Sequence, residues 1–290
     1  MAEITAALVK QLRDKTGAAM GDCKKALTET DGDIEKAVDV LRARGVKGSQ
    51  LERAAAEGAV AIEVGADGKG AALVVLQCET DFAARSDNFR KLLETVAKAV
   101  VEHRPPNAEA AKAVPAVARE LQEAGAMTVR ENIVVARAEW KTVPGDGRVV
   151  GYVHHNGTIG VAVAATCPPA VAAKAELEAL LRDIAMHATA HDPPPVAVDR
   201  EGIPADLVAR ERAVCLKQID ENPADAKKPE NIKEKMLEGR MRRFYEERAL
   251  LEQKFVKDPE TSIKQLLERA GKELGGAIQL AWFQRLAVGA

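Results

Sequence analysis

The sequence predicts an α+β fold, built from strand hairpins that alternate with amphipathic helices. Two observations carry this expectation. Short apolar runs alternate with a period of two, and longer ones recur at spacings of three and four. The order strand, strand, helix also occurs twice. Val74 and Val163 stand 89 residues apart, as do Cys78 and Cys167. Phe89, Leu92, Leu93 and Val96 stand 88 residues before Leu177, Leu180, Leu181 and Ile184. Agreement at nearly one offset indicates a duplicated hairpin-plus-helix unit. One such unit buries little, and two side by side make a core.

Residues 1–45 contain three short helices. Ile4, Leu8 and Leu12 line one face of the first, which stops at Thr16-Gly17. Asp22 is placed to cap the second, running to about Thr28. Asp31-Gly32 turns the chain. Asp33 caps a third helix with Ile34, Ala37, Val38 and Leu41 on one face, and Gly45 ends it. Such a unit has a marginal core, which suits a docking piece. Residues 46–58 turn to Lys, Arg, Ala, Gly and Glu, a partly helical linker.

Residues 59–140 form the first core unit. It holds a strand over 59–64, a Gly65-Ala66-Asp67-Gly68 turn and a strand over 71–77 that ends at Cys78. A loop leads to a helix from Phe89 to Val100. After the Pro105-Pro106 break come a helical stretch, 108–124, and a strand, 133–138. The second unit begins at 141. It holds a strand over 149–155, the hairpin signal Asn156-Gly157, a strand over 159–165 and a helix marked by Leu177, Leu181 and Ala188.

Asp192-Pro193-Pro194-Pro195 is a stiff connector. Within 193–247, helices over 206–221 and 231–247 meet around Pro223 and Pro229. Their narrow apolar stripe and dense charge suit an antiparallel helical hairpin projecting from the body. A last helix spans 262–270, and 278–288 is either a strand or a helix.

The chain has 290 residues with 42 Lys plus Arg against 44 Asp plus Glu, a net charge of −2. It lacks the large positive field that direct nucleic-acid or anionic-membrane binding needs. Aromatics are 3% of residues, few for a protein that stacks bases. No apolar run approaches the ~18 residues of a membrane span, and the opening carries no secretory pattern. Cys23, Cys78, Cys167 and Cys215 form no CxxC, so free thiols in a reducing cytoplasm are expected.

No catalytic constellation is present, and no cofactor is expected. Gly65, Gly68 and Gly70 lack phosphate-loop spacing and sit in a hairpin turn. His154 and His155, adjacent on a strand, are expected to face opposite ways. His187 and His191 have helical ligand spacing, without the HExxH or carboxylates of a zinc hydrolase. The segment Glu79-Thr80-Asp81-Phe82-Ala83-Ala84-Arg85-Ser86-Asp87 stands out, because the second unit has only Pro168-Pro169-Ala170 there. Phe82 is either an anchor for a partner's pocket or a staple folded back on its own helix, with Ser86 or Asp87 as cap. Met20, ahead of Asp22, Lys24 and Lys25, is either a partner contact or a core residue.

Several strings carry a family resemblance. They are Thr16-Gly17-Ala18 with Asp22-Cys23-Lys24-Lys25-Ala26-Leu27; Gln77-Cys78-Glu79-Thr80-Asp81-Phe82; Glu131-Asn132-Ile133; Tyr152 with His154; Ile159-Gly160-Val161; Ala185-Met186-His187; and Lys235-Met236-Leu237-Glu238-Gly239-Arg240. In these the chain resembles bacterial translation elongation factor Ts, the guanine-nucleotide exchange factor of elongation factor Tu. The resemblance implies that the first 45 residues are similar to ubiquitin-associated domains. It implies that the helical hairpin over 193–247 is inserted into the second core unit, which then spans 141–192 and 248–262, and that a short C-terminal module, 263–290, follows. It implies a partner, elongation factor Tu, engaged both GDP-bound and nucleotide-free, with no bond-making catalysis of the chain's own. It implies that Asp81 and Phe82, flanked by Thr80 and Ala83, enter the partner's GTPase domain and disturb the region that holds Mg²⁺. Met20, Asp22, Lys24, Val129 and His154 are implied as further contacts. The helical hairpin either mediates self-association, as a homodimer or a two-to-two complex, or packs on the partner. Ala83 stands where Val is common and Gly21 where a bulky apolar residue is common, and the last residues keep only part of the family's terminal strand. A rival expectation is a non-catalytic adaptor that binds helical partners through its first 45 residues.

Overall fold

A computed structural model of the protein describes residues 4–16, 18, 20–43 and 55–289. Its helices and strands are those of a mixed α+β fold. The N-terminal unit holds α1 (Ala6–Thr16), α2 (Met20–Glu29) and α3 (Ile34–Ala43). They close over Val9, Leu12, Cys23, Leu27, Ala37 and Leu41. Asp33 caps α3 as expected, its Oδ1 accepting from Lys36 N at 3.1 Å. That backbone hydrogen bond favours the ionised carboxyl and lowers its pKa. Asp22 is no cap: it lies inside the first turn of α2, where its charge still suits the helix dipole. Gly45 and linker residues 46–54 lie outside the described residues.

Two three-stranded antiparallel sheets follow. The first has the order β1-β2-β3, from β1 (Glu57–Val64), β2 (Gly70–Cys78) and β3 (Val134–Thr142). β1 therefore begins two residues earlier than the sequence indicates. The second joins β4 (Gly147–Val153), β5 (Ile159–Thr166) and β8 (Gln279–Ala287), with β5 central. Residues 278–288 are thus strand rather than helix.

The side-chain alternation of the central strands sets the layers. Ala71, Leu73 and Val75 of β2 meet Val149, Ala162, Ala164 and Leu286 of the second sheet. Ala72, Val74, Leu76 and Cys78 face the other way, onto helix α5 (Asp87–His103). On β5, Val161, Val163 and Ala165 face α9 (Ala175–Ala190). The sheets stack face to face, with helices outside each. Period-two burial on both faces explains why both central strands read as continuous apolar runs.

The two sheets share fine detail at the 89-residue offset. Gly58 and Gly147 have φ of 154° and 159°. A Cβ on either would come 2.1 Å from a partner-strand carbonyl oxygen, that of Leu76 or Ala165. The strand register shifts between Val75 and Leu76 in one sheet and between Ala164 and Ala165 in the other. A short helix follows each central strand: α4 (Asp81–Arg85) and α8 (Pro169–Ala172). The helical turn at Pro169 was not apparent in the sequence.

The first sheet's helical layer is completed by α6 (Ala108–Lys112) and α7 (Pro115–Glu123), separated because Pro115 starts a new helix. Beyond α9, helices α10 (Ala205–Glu221) and α11 (Glu230–Arg248) run antiparallel, with Lys233 on Asp220 at 3.0 Å and Arg240 on Gln218 at 2.8 Å. A single stripe including Cys215, Ile219, Leu237, Met241 and Phe244 joins them. The chain returns through β6 (Lys254–Phe255) and β7 (Asp258–Ser262) to α12 (Ile263–Leu274). Ser262 and Gln265 form a capping box at the start of α12.

Candidate functional site

The segment singled out after β2 is mostly helix α4, only five residues long. So short a helix has no stability of its own, and side chains from both ends hold it. At its start Thr80 is the N-cap, its Oγ1 accepting from Ala83 N at 3.2 Å. Behind Thr80 stands the carboxylate of Glu131. Its Oε2 accepts from Glu79 N at 2.9 Å and from Thr80 N at 3.0 Å. Its Oε1 accepts from Thr80 Oγ1 at 2.6 Å. The Glu79 carboxylate reciprocates, accepting from Asn132 N at 2.7 Å. Cys78 is buried beside these groups. Burial first and the Glu131 charge second push its thiol pKa up to about 12, so it is no nucleophile.

At the far end Ser86 serves both helices. Its Oγ donates to Ala83 O at 2.7 Å and accepts from Phe89 N at 3.2 Å, ending α4 and capping α5. Ala83 is buried against the first sheet's core. Phe82, the next residue back, is 84% exposed. The core role expected of a staple belongs instead to Phe89, which is fully buried. Phe82 is therefore not folded back as a staple; its ring projects from α4. Asp81 pairs with Arg85 at 3.5 Å, an exposed contact worth about 0.3–0.5 kcal/mol.

Val129 stands in the same corner. It follows a π-helical turn, Ala124–Thr128, and its N–H donates to Ala124 O at 2.8 Å. Arg130 then takes a φ of 61°, turning the chain so that Glu131 meets Thr80. Asn88 Nδ2 donates to Thr128 O at 3.4 Å, tying this turn to α5.

The other sequence-selected residues sit on other elements. β4 ends at Val153, so His154 and His155 lie in the β4–β5 turn and not on a strand. Their rings do not diverge: the centroids are 4.2 Å apart. His154 N donates to Ile159 O, and Gly157 N donates to His154 O, both at 2.8 Å. His154 Nδ1 lies 3.3 Å from the Tyr152 hydroxyl. Met20 opens α2 and is 53% exposed, with exposed Lys24 one turn along the same face and Asp22 half-buried. The core reading of Met20 is therefore set aside. Gly65 and Gly68 sit in the β1–β2 turn and Gly70 opens β2; Gly65 N donates to Gly70 O at 2.9 Å.

His187 and His191 have ring centroids 5.1 Å apart. Both nitrogens of His187 are engaged. Nδ1 accepts from Val256 N at 3.2 Å, which leaves the proton on Nε2, 2.9 Å from Gln253 Oε1. No group of three metal-ligating side chains occurs among the described residues. No helix among them is long and apolar enough to cross a membrane.

The family model for elongation factor Ts matches residues 79–290, beginning at the residue whose carboxylate faces Asn132. The chain belongs to the elongation factor Ts family. It is 39% identical over 291 residues to the elongation factor Ts of a Nitratiruptor species, covering 99% of this chain and 93% of that one. With its counterpart from Desulfovibrio desulfuricans it shares 38% identity over 294 residues and the full length of both. With that of Maricaulis maris it shares 42% over 300 residues, covering all of this chain and 93% of the relative. The chain thus stands among elongation factors, in protein biosynthesis.

For this member of the elongation factor Ts family, the residue to which sequence reasoning gave no role is Glu131, quoted only within the string Glu131-Asn132-Ile133. It lies about fifty positions from the segment it braces, and a Glu before a strand carries no periodic signal. Only the arrangement of the π-turn and Arg130 brings it to Thr80.

Proposed function

We propose that this chain is a guanine-nucleotide exchange factor that binds elongation factor Tu and promotes GDP release, itself breaking no bond. The observation that carries the reading is Phe82, 84% exposed on a helix capped at both ends. An exposed ring on a pre-ordered support spends little entropy on insertion into a pocket. Thr80, Asp81, Phe82 and Ala83 form the element that enters the GTPase domain and disturbs the Mg²⁺ and phosphate region. Val129, beside it, touches the same domain, and so do Met20, Asp22 and Lys24 of the N-terminal unit. His154, on a separate turn, faces another part of the partner.

Exchange works by linkage: the factor binds the nucleotide-free GTPase better than the GDP-bound one, and each ligand weakens the other by the same factor. A swing from 1:99 to 99:1 needs about 5.5 kcal/mol of differential binding. Burying one Phe contributes only about 1.5–3 kcal/mol. Phe82 therefore works with the other contacts. Loosening Mg²⁺ is an efficient target, because a divalent ion is often the largest local charge at a phosphate site.

The proposed organisation follows the layers. A ubiquitin-associated-like unit, residues 1–45, precedes two duplicated subdomains, each a sheet with its own helices. The helical hairpin over 193–247 is inserted into the second, and a short module from 263 closes it. The factor acts in the cytoplasm, without direct nucleic-acid or membrane contact. The hairpin serves self-association or partner packing.

Stopped-flow release of a fluorescent GDP analogue from elongation factor Tu tests the reading. The chain should accelerate release, and Phe82→Ala should slow it while leaving the fold intact. A chain that binds without accelerating release is an adaptor, and the proposal fails.

A further inference from the structure

We infer that Glu131 is a positioning residue for exchange: its carboxylate holds the Phe82 ring in the orientation that enters the partner. The inference rests on the proposed function and adds to it a residue that makes none of the proposed partner contacts. The geometry is a chain of hydrogen bonds from Glu131 to the ring's backbone. One carboxylate accepts Glu79 N, Thr80 N and Thr80 Oγ1 at 2.6–3.0 Å. Thr80 Oγ1, its proton committed to Glu131, is left with its lone pairs toward Ala83 N, which it caps. Phe82 sits between Thr80 and Ala83, on a helix too short to form unaided.

Three features separate this from an ordinary surface contact. The bonds are charge-assisted, hence shorter and stronger than neutral ones. They join segments 51 and 52 residues apart, so no local turn replaces them. The carboxylate is itself aimed by a π-turn and by left-handed Arg130, and π-turns occur frequently at functional sites. Ordering a non-Gly residue at positive φ costs free energy that the local fold must offset. What that φ delivers is Glu131 at Thr80.

The test uses the full-length chain and stopped-flow release of a fluorescent GDP analogue from the GTPase of the proposed function, measured across factor concentrations. Glu131→Ala should lower the maximal release rate about tenfold, within what misplacing a working group costs. The half-saturating concentration should change little. In the Phe82→Ala background the same substitution should cause no further loss, because the two act through one element. Glu131→Gln keeps an oxygen for the backbone N–H pair and a donor for Thr80 Oγ1, so it should restore most of the rate. Amide hydrogen exchange at Ala83 should quicken in Glu131→Ala and stay slow in Glu131→Gln. A wild-type rate for Glu131→Ala, or a loss that multiplies with that of Phe82→Ala, overturns the inference and leaves the role of Phe82 standing. A wild-type rate for Phe82→Ala removes both. Should Glu131→Ala not fold, Thr80→Val cuts the same chain one link later. Its maximal rate should fall likewise, and an unchanged rate overturns the inference.

Discussion

His187 Nε2 donates to Gln253 Oε1 at 2.9 Å, and both side chains are closed to solvent. Gln253 Nε2 passes the connection on to Glu247 O at 2.7 Å. This joins the last turn of α9 to the end of α11, where the helical hairpin leaves the second sheet.

A pH dependence follows. Burial pushes the His187 pKa below its ordinary 6.5; the Gln253 hydrogen bond opposes the shift and neighbouring His191 adds to it. The unfolded chain then takes up the proton first as pH falls. The stability contribution is complete above about pH 6.5 and is lost as pH drops toward the folded-state pKa. Urea midpoints should decline across that window, and the decline should be shallower in His187→Gln. Equal pH profiles for the two proteins would contradict the assignment.

Two phenylalanines seven positions apart should behave oppositely. Phe89→Ala empties a fully buried site and should cost about 3–5 kcal/mol in urea unfolding. Phe82→Ala removes an exposed ring and should stay within about 0.5 kcal/mol of the parent. Its effect should appear only in nucleotide release.

Gly58→Ala and Gly147→Ala should each destabilise by roughly 1–3 kcal/mol or more. Each sets a Cβ 2.1 Å from a backbone oxygen, which cannot swing aside as a side chain would. Similar losses in the two variants, measured by denaturant midpoints, would match their equivalent places in the two sheets. A neutral effect at either position would mean that the strand pair relaxes.

On the α2 face, Met20→Ala with Lys24→Ala should raise the concentration of factor needed for half-maximal nucleotide release. The maximal rate should hold, because these residues stand apart from the Phe82 helix. A fall in maximal rate alone would place them in the exchange step.

Sequence periodicity made the elements legible. Val74 and Val163, like Phe89 and Leu177, occupy equivalent places because hairpin and helix each impose their own spacing. The capped third helix was legible too, since Asp33 bonds within its own turn. Asp22 misleads because an acidic residue suits both a cap and a first turn. The strand expected across His154 and His155 is too long. Apolar alternation weakens gradually, whereas the Asn156-Gly157 turn ends the strand at Val153. Face-to-face stacking was hidden because a strand buried on both faces looks alike whatever covers it. At the candidate site, Phe82 was conspicuous by type and its projection was undecidable. The deciding group, Glu131, lies far away in the chain.

The pairing of β5 with β8 sets a timetable for synthesis. The first sheet has all three of its strands once residue 142 has emerged, whereas the second lacks an edge until residues 279–287 are made. At about 5–20 residues per second, Ala162 and Ala164 wait several seconds for a neighbour on that side. Meanwhile the first sheet, already complete, offers them an apolar surface to lie against. A nascent chain halted before Gln279 would therefore carry a finished Phe82 corner on a half-built body.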